Sequence, residues 1–301
     1  MHYKKYVTFG LATIAGLGAC ATLALAQQQA PPLMVKQLKD NVYWTQGGAG
    51  GNTGIIIGQN GVIVIDAKTT PDSAKEMLAE IAKITPKPVT HVILTHSDLD
   101  HVNGLAAFPQ GITIIAHENN KKEQEKALAA GGRGAPPADR LPTQVVAKNK
   151  ESMKIQGVNF TLLHWAPAHT SGDLVVYLPN EKIVFTGDII ATIRPDPLIH
   201  LEKNGTAEGW IQTTKGMVGL NAETYVPGHG DLQTKADIQK RLKDAEERVA
   251  KVKQLVAQGK SLEDVRKAFG EPEPAAPVPG RGPVFPTFTE TTYKEFTAKK
   301  T

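Results

Sequence analysis

The 301-residue chain is 41% hydrophobic and 21% charged, the balance of an ordinary globular protein long enough to bury its own core. Its net charge of +4 comes from 34 basic and 30 acidic residues with no basic stripe of interleaved aromatics, so nucleic acid is not an expected partner. The single cysteine, Cys20, lies in the N-terminal leader, which excludes disulfides, thiolate metal ligands and cysteine nucleophiles from the rest of the chain.

Residues 1–26 read as an export signal. Lys4 and Lys5 precede an almost wholly apolar or small run from Val7 to Leu25, and Ala24-Leu25-Ala26 forms an A-x-A cleavage site before Gln27. Cleavage there predicts a periplasmic or secreted protein with no membrane span in the mature chain. Two rivals stand beside it. The run approaches the length of a transmembrane anchor, and Leu17-Gly18-Ala19-Cys20 resembles a bacterial lipoprotein box that would place a lipid anchor on Cys20. The apolar ATLALA after Cys20 and the polar QQQAPP after Ala26 favour cleavage.

Residues 27–40 read as an N-terminal linker, 41–269 as one domain, and 270–301 as a proline-rich linker and tail. In the domain, Val42 to Trp44 and Thr53 to Ile57 are predicted strands joined by the glycine-rich QGGAGGN, and Val62 to Ile65 is a buried strand ending in Asp66. Asp72 to Ile84 has helical spacing, with Asp72 or Ser73 as N-cap. Further strands are expected at His91–Leu94, Ile112–Ala116, Phe160–His164, Leu174–Leu178 and Ile183–Thr186. Helices are expected at Glu118–Ala130, Thr234–Gln258 and Ser261–Phe269, the last capped by Ser261 with Asp264. GGRGAPPADRLP, residues 131–142, reads as a mobile loop. Strand runs followed by helices, twice over, suggest two packed sheets with helices outside.

The chemistry concentrates where strands stop. THSDLDHVNG places His96, Asp98, Asp100 and His101 within six positions, in a loop over a sheet edge where imidazole nitrogens and carboxylate oxygens can converge on a divalent ion. His169 in APAHTSGDLVVYLP, Asp188 at the end of IVFTGD, and His229 in YVPGHGD repeat the pattern. A single His or Asp at a strand end is ordinarily a cap or turn residue. Four such clusters with glycine nearby make a metal site the stronger reading.

The order Asp66, H-x-D-x-D-H, AHTxGD, FTGD and PGHG resembles the metallo-β-lactamase superfamily over roughly Val42 to Phe269. The resemblance implies an α/β fold, a four-layer αββα sandwich with two divalent metal ions at the strand ends. It gives His96 and His169 to the first metal, Asp100, His101 and His229 to the second, Asp188 as the bridge, and Asp66 as the buried aspartate that orients the motif loop. One position departs from the usual H-x-H-x-D-H, namely Asp98, which then joins the first metal as a carboxylate ligand. That change makes the ligand set less positive, so its bound water should be less acidic and harder metals better suited, with manganese or iron candidates beside zinc. The branch of β-lactamases that carries a cysteine where Asp188 stands is excluded.

The resemblance further implies a hydrolase in which a metal-bridging hydroxide attacks an ester, thioester, lactone, lactam or phosphoester, with Asp100 steering it as well as ligating. A small-molecule substrate is the expected partner. A periplasmic β-lactamase is the narrower alternative, and a non-catalytic metal- or ligand-binding relic of the fold a third. His164, His200, Asn103 and Trp210 fall near the predicted site loops, where a lone His or Trp is ordinarily structural, and His91 and His117 read as structural.

Overall fold

The computed structural model describes residues 30–131, 135–272 and 285–298. The expected export signal with Cys20, and most of the proline-rich segment, lie outside them. Seven strands form one sheet in sequence order: β1 (Met34–Lys39), β2 (Val42–Gln46), β3 (Thr53–Ile57), β4 (Val62–Ile65), β5 (Val89–Ile93), β6 (Thr113–His117) and β7 (Gln144–Val146). Five more, β8 (Lys150–Ile155), β9 (Val158–Leu163), β10 (Val175–Leu178), β11 (Ile183–Ala191) and β12 (Thr224–His229), form a second sheet in the order β12-β11-β10-β9-β8.

Apolar residues on both faces of the inner strands dictate how these sheets stack. Along β4, Ile63 and Ile65 point into the layer between the sheets, while Val62 and Val64 point to the opposite face. Along β10, Val176 and Leu178 face the other sheet, and Val175 and Tyr177 face outward. A strand with a period of two that is apolar at every position must be covered on both sides.

Helices supply the outer covers. Met77 and Ile81 of α1 (Pro71–Ile84), with Val102 of the short α2 (Leu99–Val102), close over the first sheet. The next helix, α3 (Glu118–Ala130), follows β6. Trp210 and Met217 of α4 (Ala207–Val218), and Ile238 and Val249 of α5 (Lys235–Ala257), close over the second sheet. The result is the expected αββα sandwich, with the interior layer between the sheets.

Several boundaries differ from the sequence reading. Residues 34–39, read as linker, form β1 and pair antiparallel with β2, because only every third position of that strand is sheltered and its apolar signal is faint. The first helix begins at Pro71 with Thr70, not Asp72 or Ser73, as N-cap; Ser73 sits at the third position and its Oγ accepts the Thr70 N–H in a capping box. The strand expected to end at Thr186 runs on through Gly187 and Asp188 to Ala191. Two further helices follow α5: α6 (Leu262–Ala268), where expected and capped by Ser261, and α7 (Phe288–Thr297). The last lies in the segment read as a tail, yet its Phe288 is buried against Trp210. Of the loop expected to be mobile, residues 132–134 lie outside the described residues, and Arg140 near its end is buried and donates to the carbonyls of Pro109 and Phe108. Among the described residues no helix is long and apolar enough to cross a membrane.

The β4–α1 connection is a braced turn. Asp66 and Lys68 both adopt left-handed backbone, with φ of 64° and 70°, a conformation that costs a non-glycine residue energy unless its surroundings enforce it. The Lys68 side chain is fully buried and its Nζ donates to the carbonyls of Gly47 and Gly51 at 2.9 and 2.8 Å, fastening the glycine-rich loop beneath the turn. Burial lowers its pKa from 10.5 to about 8, against the opposing pull of the Asp66, Asp100 and Glu76 charges. The unfolded chain therefore holds this proton more tightly than the folded one. That contribution to stability is fully present above about pH 10.5 and is lost as pH falls through about 8. Comparing urea unfolding of the protein with Lys68→Met at pH 7.5 and pH 10.5 should show the stability difference shifting in favour of lysine at high pH, by at most about 3 kcal/mol. An unchanged difference would mean that Lys68 stays charged throughout.

Candidate metal centre

The sandwich brings all seven sequence-assigned ligands to one end of the two sheets. His96 follows β5, Asp98 is the N-cap of α2, and Asp100 and His101 lie on that helix. His169 sits between β9 and β10, Asp188 lies inside β11, and His229 ends β12. Their donor atoms form three overlapping groups, each within 4.8 Å: His96, Asp98 and His169; His96, His101 and Asp188; and Asp100, His101 and His229. Asp188 belongs to the middle group, which shares His96 with the first and His101 with the third; its Oδ1 is 3.3 Å from His101 Nε2 and its Oδ2 3.5 Å from His229 Nε2. His229 Nε2 is 2.9 Å from Asp100 Oδ2.

Asp66 orients this end of the molecule. Its Oδ1 accepts the Thr95 backbone N–H at 2.8 Å, and its Oδ2 accepts both the Thr95 hydroxyl at 2.7 Å and His101 Nδ1–H at 2.8 Å. With its hydrogen committed to Asp66, the Thr95 oxygen accepts His96 Nδ1–H at 3.0 Å. One carboxylate thus turns the Nε2 atoms of two histidines inward, His101 directly and His96 through Thr95. His169 is turned by donating from Nδ1 to the Leu198 carbonyl at 2.8 Å. This arrangement of the far nitrogen is the one that metal-binding histidines require.

Backbone without side chains makes room. A Cβ on Gly228 would lie 1.9 Å from Asp188 Oδ1, and one on Gly51 would lie 2.5 Å from His101 Nε2. Asn52 then ties the two sheets together at this end. Its backbone N–H donates to the Gly228 carbonyl at 2.6 Å, and its Nδ2 donates to Pro227 and Gly230.

The donor set fits divalent cations. His96 Nε2 and Asp188 Oδ1 are buried and have no hydrogen-bond partner, an arrangement that is costly without a bound group. Four aspartates, at 66, 98, 100 and 188, crowd the same space. Burial disfavours charge on His101, yet the carboxylates of Asp100, Asp66 and Asp188 outweigh it and push that imidazole well above its usual range. His169 is likewise buried, and the hydrogen bond and charge of Asp98 raise it to about 9. Burial and the neighbouring His101 hold His96 well below the usual range. Protons on His101 and His169 thus stand where cations would otherwise balance the carboxylates.

Asp98 converges with His96 and His169 rather than facing solvent as a simple cap. Its Oδ1 is held by Lys203 Nζ at 2.5 Å, while its Oδ2 lies 3.2 Å from His169 Nε2. Burial raises the carboxyl, but the His169 hydrogen bond and the charges of His96, His169 and Lys203 bring it well below the usual carboxylate range. This pair corrects the charge argument drawn from the motif. Carboxylate for neutral imidazole adds one negative charge to the ligands, and the Lys203 ammonium offsets it at the same residue. The expected drift toward harder metals therefore loses its electrostatic basis.

The remaining candidates separate. Trp210 Nε1 donates to the Ile189 carbonyl and His164 stacks on His117 at 4.1 Å, both packing roles. Asn103 opens the 3₁₀ turn after α2. His200, however, faces the site. So do three features that carried no sequence signal: Thr95, Lys203, and Glu123, which accepts from Ser97 and Ser171. A cavity of about 500 Å³ opens beside Asp98 and Asp100, with Ala135 and Pro136 of the 131–142 loop and Phe285 in its wall.

Comparison with known proteins places this site in context. A family model described as the Metallo-beta-lactamase superfamily matches residues 47–229. The chain is 30% identical over 177 residues to the 2,4-dinitroanisole O-demethylase subunit alpha of Nocardioides sp. (strain JS1661), covering 58% of this chain and 51% of that protein. It is 28% identical over 225 residues to the Metallo-beta-lactamase type 2 of Elizabethkingia meningoseptica, covering 71% and 86%. Among solved structures, a metallo-beta-lactamase from Pontibacter korlensis superposes with TM-score 0.61 at 19% identity, over 71% of this chain and 99% of that one. The sec-alkylsulfatase Pisa1 from Pseudomonas sp. superposes with TM-score 0.65 at 17% identity, over 87% and 47%. The chain thus spans about half the length of the demethylase subunit and of the sulfatase.

Asp66 touches no position where an ion would sit, so its replacement isolates orientation from ligation. Asp66→Ala should weaken divalent-ion affinity by roughly ten- to a hundredfold, read by competition with a chromogenic chelator. Affinity equal to that of the unsubstituted protein would show that the imidazoles orient themselves without it.

Proposed function

Because the chain belongs to the metallo-β-lactamase superfamily of metallohydrolases, we propose that it is an exported hydrolase working through two divalent metal ions on a small-molecule substrate. The observation that carries the reading is the convergence of seven donor side chains into three groups linked through His96 and His101. His96, Asp98 and His169 would hold the first ion, Asp100, His101 and His229 the second, and Asp188 both. Zinc is the favoured metal, because imidazole and carboxylate donors suit it and Lys203 offsets the charge of Asp98; manganese or iron remain alternatives. Bound there, the pair of ions supplies an activated water nucleophile and polarises the bond under attack.

The chain's own groups do the rest. Asp66, Thr95 and the Leu198 carbonyl engage the Nδ1–H groups and turn each Nε2 toward the site, where an ion would displace any proton it carries. Asp100 has the most exposed side chain of the seven, 35%, and borders the cavity, so its carboxylate is placed to accept a proton from the attacking water as well as to bind. Leu99, Ala127, Pro136 and Phe285 give the cavity apolar walls for the body of a substrate. A β-lactamase is the second reading, supported by the similarity to the Elizabethkingia enzyme. The names of the other relatives bring an activated aryl methyl ether and an alkyl sulfate into the substrate range.

Purified protein should carry close to two divalent ions per chain by elemental analysis. It should lose activity on chelation and regain it with zinc, on at least one member of a panel of nitrocefin, a lactone, a thioester, a phosphodiester, an alkyl sulfate and 2,4-dinitroanisole. Stoichiometry near zero after reconstitution with zinc, manganese and iron would reject the metallohydrolase. Turnover of nitrocefin alone would establish the β-lactamase. Export rests on the leader. Mass spectrometry of the protein from a bacterial envelope should give an N-terminus at Gln27, whereas a diacylglyceryl group on Cys20 would make it a lipoprotein and retained Met1 would refute both.

A further inference from the structure

A fifth imidazole faces the same space. His200 lies in the connection from β11 to α4, 6% exposed, with its backbone N–H donating to the His169 carbonyl at 2.8 Å. Its carbonyl accepts from Lys203 and Gly205, so the turn carrying it is fastened beside His169. The His200 Nδ1–H donates to Glu202 Oε1 in a short contact. Its Nε2 is buried without a hydrogen-bond partner and lies 3.4 Å from Asp98 Oδ2. The ring stands edge-on to His169, centroids 4.6 Å apart at 80°.

Asp98 Oδ2 is therefore surrounded by three imidazole nitrogens, those of His169 at 3.2 Å, His200 at 3.4 Å and His96 at 3.7 Å. With Asp188 the first ion would then have five protein donors, and neighbouring donors on a five-coordinate zinc at about 2.0–2.2 Å lie roughly 2.8–3.8 Å apart. All three separations from Asp98 fall within that range, although His200 stands outside the groups whose donor atoms lie within 4.8 Å of one another, so its ring must swing toward His96 and His169 when an ion binds. A histidine that only packs needs no carboxylate on its far nitrogen and no bare lone pair aimed at a metal site. One that binds a metal has both.

We infer that His200 is a ligand of the first metal ion, supplying the nitrogen that the motif lacks where Asp98 replaces histidine, with Glu202 as its positioning residue. The inference rests on the two-ion reading above. It also explains the neighbouring lysine. A single turn, His200 to Lys203, delivers both the nitrogen and the positive charge that a histidine at position 98 would not have required. Lys203 holds Asp98 Oδ1 and Ser97 Oγ, leaving Oδ2 as the atom that faces the three nitrogens.

The test uses the whole protein and metal alone. In protein carrying 15N-labelled histidine and loaded with two equivalents of 113Cd, a 113Cd–15N coupling is expected at His200 Nε2 as well as at His96 and His169. Coupling at His96 and His169 but not at His200 would overturn the inference while leaving the two-ion reading intact. Failure to bind two ions at all would remove that reading first. In chelator competition, His200→Ala should lower the weaker-bound or first-site zinc affinity by about tenfold or more, and Glu202→Gln by a smaller factor, with the other ion unaffected. Unchanged zinc affinities in a folded His200→Ala protein would also refute ligation, whatever happened to turnover.

Discussion

The metal end of this protein depends on one buried carboxylate. Asp66 terminates a strand in left-handed backbone, and from there it takes three hydrogen bonds, two from Thr95 and one from His101. Those bonds join the end of β4 to the loop after β5 and to α2. They also fix which nitrogen of His96 and His101 faces the site. The strain of the turn is met by the surroundings that hold it, Lys68 beneath and the His101 carbonyl accepting from Ala67 above. A ligand side chain on a free loop would spread over several rotamers. Here the imidazoles are oriented before any ion arrives, which is the condition for tight and geometrically selective binding.

The second constraint is charge. Four aspartates converge in a space with little solvent, and isolated carboxylates cannot be buried there without counter-charge. Protons on His101 and His169 serve that purpose in the absence of metal, and two divalent ions would replace them. The substitution of aspartate into the usual histidine position of the motif adds a fourth carboxylate, and Lys203 answers it in direct contact. The unusual motif is thus not an isolated change. Its compensation comes from a turn more than a hundred residues further along the chain.

Much of the architecture was legible in the sequence for a local reason. Inner strands covered on both faces are continuous apolar runs, so Val62–Ile65 and Ile183–Thr186 stand out. Strands that are half exposed do not, and β1, β7 and β8 escaped notice. The helix α7 lies in a segment whose aromatics, Phe288, Tyr293 and Phe296, alternate with polar residues, and the partner of Phe288, Trp210, is distant in sequence. The N-cap of α1 lies two or three residues before the expected Asp72 or Ser73 for a similar reason, since Thr70, Asp72 and Ser73 are all good caps and only the backbone turn decides among them.

The fold class, the candidate ligand chemistry and its order along the chain could be read from local stretches alone. Each candidate ligand sits at the end of an apolar strand in a short recognisable stretch, and that information is local. What each candidate ligand leans on and how the charges balance emerge from folding. Thr95 is one hydroxyl among many until it bridges Asp66 and His96. Lys203 reads as an ordinary solvated lysine until folding sets it against Asp98, and His200 as a packing residue until its Nε2 is seen beside the same carboxylate. Such contacts join residues far apart in sequence, and no periodicity or spacing encodes them. They arise when two sheets close on each other and bring their loops to one end.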